Sequence, residues 1–175
     1  MIEISGMMWL LAICFGVIGF LRGWQREFTA LAGIILATFA LFQFDAFLRT
    51  IFFGFSAQQM FFVQFVSFTV IVFLVYQAKQ VGGGELRSDD DLQDGLIGGL
   101  VGSINGYLIG GSIWYFLDVT EYPFVDLVSA PAPNSLSAES LGLMPMMLLG
   151  GGADGTGGAL SIGVLILVVA VLLSI

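Results

Sequence analysis

Residues 94–111 read DGLIGGLVGSINGYLIGG, a segment in which glycine recurs at every fourth position. The recurring residues are Gly98, Gly102, Gly106 and Gly110, and on an α-helix this spacing places them nearly on one face. A face without side chains lets the backbone of a neighbouring helix approach closely, as is typical of packing in membranes. The segment therefore predicts a membrane helix with a glycine contact face. The alternative is that this face slides, or lines a narrow pore, during transport.

The composition of the whole chain is typical of a membrane protein. Of its 175 residues, 58% are hydrophobic and only 10% are charged, which leaves too few charges to cover a soluble surface. The chain has no histidine, so the usual general base and the commonest metal ligand are missing. A net charge of −8 argues against nucleic-acid binding. The single cysteine cannot form an intrachain disulfide.

Long uncharged stretches divide the chain into candidate membrane spans. Crossing the hydrocarbon core takes about 20 mainly apolar residues, and four stretches meet this requirement. They predict helices at about residues 4–21, 28–44, 60–78 and 95–117. A fifth stretch, residues 159–175, predicts a C-terminal apolar helix that spans, tilts or lies in a groove. The predicted fold class is therefore all-α, a polytopic integral membrane bundle with four or five transmembrane helices.

The first two predicted helices carry small residues that match the glycine face of the fourth. On the first helix these are Gly16, Gly19 and Gly23, and on the second they include Gly33 and Ala37. Small residues repeated at helical spacing on several helices permit close backbone contact. We therefore expect the first, second and fourth helices to form a tight core.

Basic residues in the short loops indicate how the chain crosses the membrane, because loops rich in Lys and Arg stay on the cytoplasmic side. An N-terminus outside leaves four basic residues inside and one outside, and the reverse gives one and four. We therefore predict that the N-terminus is outside. The first segment starts with Glu3 and has no cleavage site before Arg22, so we interpret it as a retained helix and not as a signal peptide.

The segment from residue 45 to residue 60 has a helical pattern but is too short to cross a membrane. Its apolar residues recur every three or four positions, opposite Asp45 and Arg49. Such a segment is expected to lie in the membrane interface or to enter the membrane as a re-entrant amphipathic helix. Its rings Phe47, Phe52 and Phe55 are expected to face lipid or a partner.

Two polar regions flank the fourth helix. Residues 79–94 are rich in glycine and aspartate but lack the pattern of a phosphate or calcium loop, so we interpret them as a solvated loop in which Asp94 caps the helix. Residues 118–158 are acidic and rich in proline and glycine. They predict an extramembrane connector that is either mobile or held by a partner.

Asn105 lies in the middle of the fourth predicted helix, where its amide must find a hydrogen-bond partner. That partner is either another helix or a transported solute. Ser103 and Tyr107 are its neighbours in the sequence and are candidates for sharing the same role.

Arg22, Arg26 and Glu27 form the only charge cluster at a predicted helix end. The two arginines are four residues apart and could face the same way on one helical turn, and Glu27 could pair with either of them. We expect them to anchor the helix at the inner boundary, or alternatively to form a gating or partner-binding ion pair. No acidic residue is apparent in the middle of a span, which argues against proton-coupled transport.

These residues also carry a family resemblance. The segment GVIGFLRGWQREFTALAGIILA, residues 16–37, resembles the colicin V production protein family, and residues 94–111 resemble that family's second glycine-rich signature. The resemblance covers about residues 1–117 and implies a polytopic inner-membrane protein linked to toxin production or export, and sometimes to transport. By the same resemblance, the signature positions are Gly19, Arg22, Gly23, Arg26, Glu27, Gly99, Gly102 and Gly106.

We therefore predict a non-enzymatic protein that supports toxin production or export, or the transport of a small solute. Its polar path would run along Asn105, Ser103 and Tyr107 and would be closed by Arg22 and Arg26. The alternative is a structural accessory subunit of a larger membrane complex, docked through its Phe-rich segment and its C-terminal tail. We expect no catalytic residues, no cofactor and no metal site. The expected partners are the lipid bilayer and either other membrane subunits or further copies of the chain.

Overall fold

The computed structural model describes residues 4–77, 91–124, 127–151 and 157–174, and within these ranges every regular element is a helix. Four of the helices are long and apolar enough to cross a membrane, so the predicted all-α membrane fold is confirmed. In chain order the helices are α1 (Ile4–Arg22), α2 (Trp24–Gln43), α3 (Asp45–Ile51), α4 (Ala57–Gln77), α5 (Asp91–Val119), α6 (Leu136–Ser140), α7 (Pro145–Gly150) and α8 (Gly158–Ser174), with a 3-10 turn at Leu141–Leu143.

The long helix α5 is the centre of the bundle, and α1, α2 and α4 pack around it. Helix α1 runs antiparallel to α5, since Met8 lies beside Gly110 and Gly19 lies beside Gly98. Helix α4 is also antiparallel to α5, and the rings of Phe68 and Phe116 meet edge to face at 5.6 Å. The first, second and fourth predicted spans therefore share one core, as the small-residue pattern predicted.

Helix α5 begins earlier than the sequence pattern predicts. Its first residue is Asp91, so Asp94 lies inside the helix, and the prediction that Asp94 is its N-cap is wrong. The Asp94 side chain lies beside the corner between α1 and α2, where a Cβ on Gly23 would be 2.5 Å from its Oδ2. Residues 78–90, which include most of the predicted loop 79–94, lie outside the described residues.

The chain after α5 folds back against the bundle. The hydroxyls of Ser137 on α6 and Ser5 on α1 are 3.0 Å apart and hydrogen-bonded. Met144 and Met146 are fully buried, and Pro145 packs against Gly111 of α5. Residues 127–151 are therefore held by the chain itself, which differs from the expected mobile or partner-held tail, because this segment has apolar side chains of its own to bury. Residues 152–156 of the glycine-rich stretch are outside the described residues.

Two further helices lie at the sides of this core. Helix α8 packs along α2 and α7, with Leu160 buried. Helix α3 covers only the first part of the predicted segment 45–60 and buries none of its residues. It ends in a turn at Gly54, whose φ of +92° suits glycine. The location of α3 in the membrane interface stays a prediction.

Candidate functional site

A sharp corner at Gly23 creates the first part of the candidate site. Gly23 has a φ of +84°, a region that other residues rarely adopt, so α1 ends at Arg22 and α2 begins at Trp24. The chain turns back within one residue. As a result, the end of α1 and the first turn of α2 bring Arg22 and Glu27 together, although they belong to different helices.

Glu27 is fully buried, and its carboxylate accepts hydrogen bonds from three side chains. Arg22 Nη1 donates to Oε1 at 2.9 Å, and Oε2 accepts from Asn105 Nδ2 at 2.8 Å and from the Tyr76 hydroxyl at 3.2 Å. The Arg22 guanidinium also lies 4.6 Å from the centre of the Tyr76 ring. A carboxylate can remain buried as an ion only with such a countercharge and such donors. We call these four residues the Glu27 cluster.

The Glu27 cluster places an acid inside the bundle, where Glu27 is buried against Asn105 of α5. Glu27 is the fourth residue of α2 and so lies near the end of a span, which leaves the expectation of no acid in the middle of a span as a prediction. The expectation that Arg22 and Arg26 face the same way is wrong. The corner at Gly23 separates them, and Arg26 is exposed and, among the described residues, pairs with no carboxylate.

A second polar group also combines an arginine, a carboxylate and an amide, and it lies where α2 meets α3. Asp45 Oδ2 accepts from Arg49 Nε at 2.8 Å, and Asp45 Oδ1 accepts from Gln64 Nε2 at 2.8 Å. Gln64 belongs to α4 and is only 2% exposed, whereas Arg49 is exposed. We call Asp45, Arg49 and Gln64 the Asp45 cluster.

Between these two clusters lies the interface of α2, α4 and α5, which we call the seam. Thr38 follows Glu27 by eleven residues, or about three helical turns, so it lies on the face of α2 that meets α5. Ser112 follows Asn105 by seven residues, or about two turns, on the corresponding face of α5. Both Thr38 and Ser112 are fully buried. Polar side chains are therefore distributed along the seam between the two clusters.

Four buried side-chain oxygens of the seam have no hydrogen-bond partner among the described residues. This is unusual, because a buried polar group without a partner costs about 1–3 kcal/mol. We call these atoms the seam oxygens, and they are Thr38 Oγ1, Gln64 Oε1, Asn105 Oδ1 and Ser112 Oγ.

Ser103 and Tyr107 do not join Asn105, and the prediction that the three form one path is wrong. Residues two apart on a helix point to roughly opposite sides. Ser103 faces α1 beside Gly16 and donates to the Gly99 carbonyl at 3.0 Å. Tyr107 stacks on Trp9 at 5.7 Å and donates to the Leu143 carbonyl.

The predicted glycine positions lie against other helices. On α5, a Cβ on Gly102 would be 3.0 Å from the Gly19 Cα, and one on Gly106 would be 2.8 Å from the Ala12 Cα. Gly33 faces α4 and not α5, since its Cβ would be 3.0 Å from the Val75 Cβ. The remaining positions contact their neighbours similarly or are buried: Gly16, Gly19, Gly98, Gly110 and Ala37.

The Phe-rich segment is largely open. Phe47 and Phe55 are exposed, and Phe52 is half-buried with its ring 4.9 Å from that of Phe55. Phe52 and Phe55, with Arg49 and Glu121, line a cleft of about 330 Å³ at this end of the bundle.

Sequence reasoning missed Thr38, Gln64, Tyr76, Ser112 and the role of Asp45. A signal for three of them was present: Thr38 and Ser112 lie whole turns from Glu27 and Asn105, and Gln64 is a polar residue inside an uncharged span. Within the described residues, no three Cys, Asp or Glu side chains form a group that could hold a metal ion.

Comparison with known families gives one match. The family model described as Colicin V production protein matches residues 4–144. The match extends beyond the predicted limit at residue 117 and includes α6. No curated protein and no solved structure matches the chain.

Proposed function

The chain belongs to the colicin V production protein family, and we propose that it is a non-enzymatic transport protein of the inner membrane whose seam carries a small solute. It is a multi-pass membrane protein with four helices able to cross a bilayer. Support of toxin production or export would follow from this transport. We further propose that the N-terminus is outside, as the distribution of basic residues favours.

The observation that carries this proposal is the buried Glu27 cluster at one end of a seam with unpartnered oxygens. Ionisable residues inside a membrane bundle are costly to retain, and they commonly mark the route of an ion or solute. Pure packing would be served as well by apolar side chains of similar volume. The isolated small polar groups along the seam fit a small solute better than a peptide.

Replacement of Asn105 by leucine tests this proposal. The variant loses the amide at the Glu27 end of the seam and one donor to Glu27, so we expect loss of the solute-uptake or toxin-production phenotype in a strain that depends on the chain. Gln93→Leu is the matched control, because Gln93 is an exposed amide on the same helix. Both proteins are first shown to be folded by size-exclusion chromatography. A folded Asn105→Leu protein that keeps the full phenotype would count against transport.

One observation favours a second candidate function, that of an accessory subunit. Three phenylalanines at the α3 end of the bundle are largely exposed: Phe47 by 58%, Phe55 by 46% and Phe53 by 92%. Exposed rings gathered in one place are typical of a contact surface for a partner. Solubilisation in mild detergent followed by native separation tests this, since an accessory subunit should migrate in a large species that a Phe47→Ser/Phe53→Ser variant no longer joins. Migration only as a small free species would remove this candidate.

A further inference from the structure

The two ends of the seam carry the same arrangement of side chains. In the Glu27 cluster, an arginine and an amide bind the two oxygens of one carboxylate. In the Asp45 cluster, Arg49 and Gln64 bind the two oxygens of Asp45 in the same way. Each end of the seam therefore has a triad of arginine, carboxylate and amide, which is more buried at Glu27 than at Asp45.

Each carboxylate fixes the direction of its amide. The NH₂ group of Asn105 points at Glu27 and that of Gln64 points at Asp45, because the amide oxygen would be repelled by the carboxylate. The amide oxygens must then point away from the carboxylates. These are Asn105 Oδ1 and Gln64 Oε1, both buried and without a partner among the described residues.

Two hydroxyls lie between these amide oxygens. Ser112 is about 10 Å along α5 from Asn105, and Thr38 is about 16 Å along α2 from Glu27. Their oxygens are buried and, within the described part of the chain, also unpartnered. The seam oxygens thus lie at successive levels along the helices that form the seam.

The chemistry of this series selects the sign of its ligand. Amide and hydroxyl oxygens present lone pairs, which bind hard cations in proteins. The amide N–H groups are already directed at Glu27 and Asp45, so the two amide oxygens can only accept. The Thr38 and Ser112 hydroxyls can donate or accept, and they can turn their lone pairs toward a cation that the amide oxygens bind. Both carboxylates are in turn neutralised by arginine, so a cation would meet neutral dipoles and would not be trapped by a bare charge.

Building on the transport proposed above, we propose that the seam binds and passes a small monovalent cation, sodium or hydronium, with the seam oxygens as its successive ligands. The triads act as positioning groups, since each carboxylate holds an amide oxygen toward the seam. The arginines neutralise the two carboxylates, so neither end of the seam holds a bare negative charge that would trap the cation.

Two substitutions test the inference without breaking a hydrogen bond seen among the described residues. Thr38→Val and Ser112→Ala each remove a seam oxygen and keep nearly the same shape, so both proteins should fold at least as well as the unmodified chain. The full chain is reconstituted in liposomes, where uptake of radioactive sodium and the fluorescence of an enclosed pH dye report the two cations. Uptake of radioactive chloride reports anions.

We expect the unmodified chain to take up sodium or protons but not chloride. In the double variant Thr38→Val/Ser112→Ala the rate of cation uptake should fall about tenfold, because each lost ligand oxygen contributes about as much free energy as a hydrogen bond. The control is Thr29→Val/Ser161→Ala. Its hydroxyls donate to backbone carbonyls four residues earlier in the chain, those of Gln25 and Gly157, and it should keep full uptake.

The outcomes separate this inference from the proposed function. Chloride uptake, no cation uptake, or unchanged cation uptake in the Thr38→Val/Ser112→Ala protein would overturn the cation inference. If Asn105→Leu still abolishes the cellular phenotype, transport of another solute stands. If Asn105→Leu keeps the phenotype as well, the proposed function fails with it.

Discussion

Adding one methyl group at Gly106 should push α1 and α5 apart. A Cβ on Gly106 would overlap the Leu11 carbonyl oxygen and would lie 2.8 Å from the Ala12 Cα, whereas ordinary van der Waals contact begins at 3.4 Å, so the two backbones must separate by at least about 0.6 Å. A gap of this size forfeits a quarter to a half of the dispersion energy of the affected contacts. Backbone atoms cannot rotate away as a flexible side chain would. We therefore expect Gly106→Ala to destabilise the protein by about 1–3 kcal/mol.

Gly6→Ala is the control for this substitution. Gly6 is on the same pair of helices, but a Cβ there would meet nothing within 4 Å, so the variant should gain up to about 1 kcal/mol from helix propensity. Thermal unfolding in detergent, followed by size-exclusion chromatography, measures the difference. The melting temperature should change by about 2–4 °C for each kcal/mol, so the difference between the two variants is observable. Equal melting temperatures for Gly106→Ala and Gly6→Ala would refute the close backbone contact on which this reasoning depends.

Two other perturbations address the charged and aromatic groups. Arg22→Leu leaves the Glu27 carboxylate buried without its countercharge and should lower the free energy of unfolding by about 3 kcal/mol. The double variant Arg22→Leu/Glu27→Gln should recover most of this loss, because a neutral amide needs no countercharge. Equal stability of the two variants in chemical denaturation would contradict this prediction. Burial raises the pKa of Tyr122, which follows α5, so the stability that its neutral phenol gives is present below pH 10 and is lost as the pH rises above it. When melting temperatures are measured over a series of pH values, Tyr122→Phe should remove part of the loss of stability at alkaline pH. At neutral pH the same variant should be less stable by about 1–3 kcal/mol, because Trp114 Nε1 loses its hydrogen-bond acceptor.

The helical spans could be predicted because the length of an uncharged stretch reports directly on its ability to cross a membrane. The same criterion misplaced the helix ends near charges. Helix α2 begins at Trp24 and not near residue 28, because Glu27 is neutralised by Arg22 and fits inside the bundle. Helix α5 likewise continues back through Asp94 to Asp91. A rule that places every charged residue in solvent cannot recognise a charged residue that is buried in an ion pair.

The site was predictable only in part, for a related reason. Arg22, Glu27 and Asn105 were singled out from the sequence, but the contact between Glu27 and Asn105 joins residues 78 positions apart. Tyr76 and Gln64 come from α4, and their roles depend on how α4 packs between its neighbours. One-dimensional periodicity gives the face of a helix on which a residue lies but not which helix that face meets.

The arrangement around α5 divides stability and function between two faces of one helix. The glycine face meets α1 through backbone contacts that tolerate no added atoms, so it fixes the position of α5. The adjacent face presents Asn105 and Ser112 to α2, and there two buried oxygens are unpartnered within the described residues. Such under-satisfied polar groups lower stability by amounts that the close α1–α5 contact offsets. Variants on the glycine face should therefore change how much protein is folded, and variants on the Asn105 face should change the proposed transport activity of the folded protein.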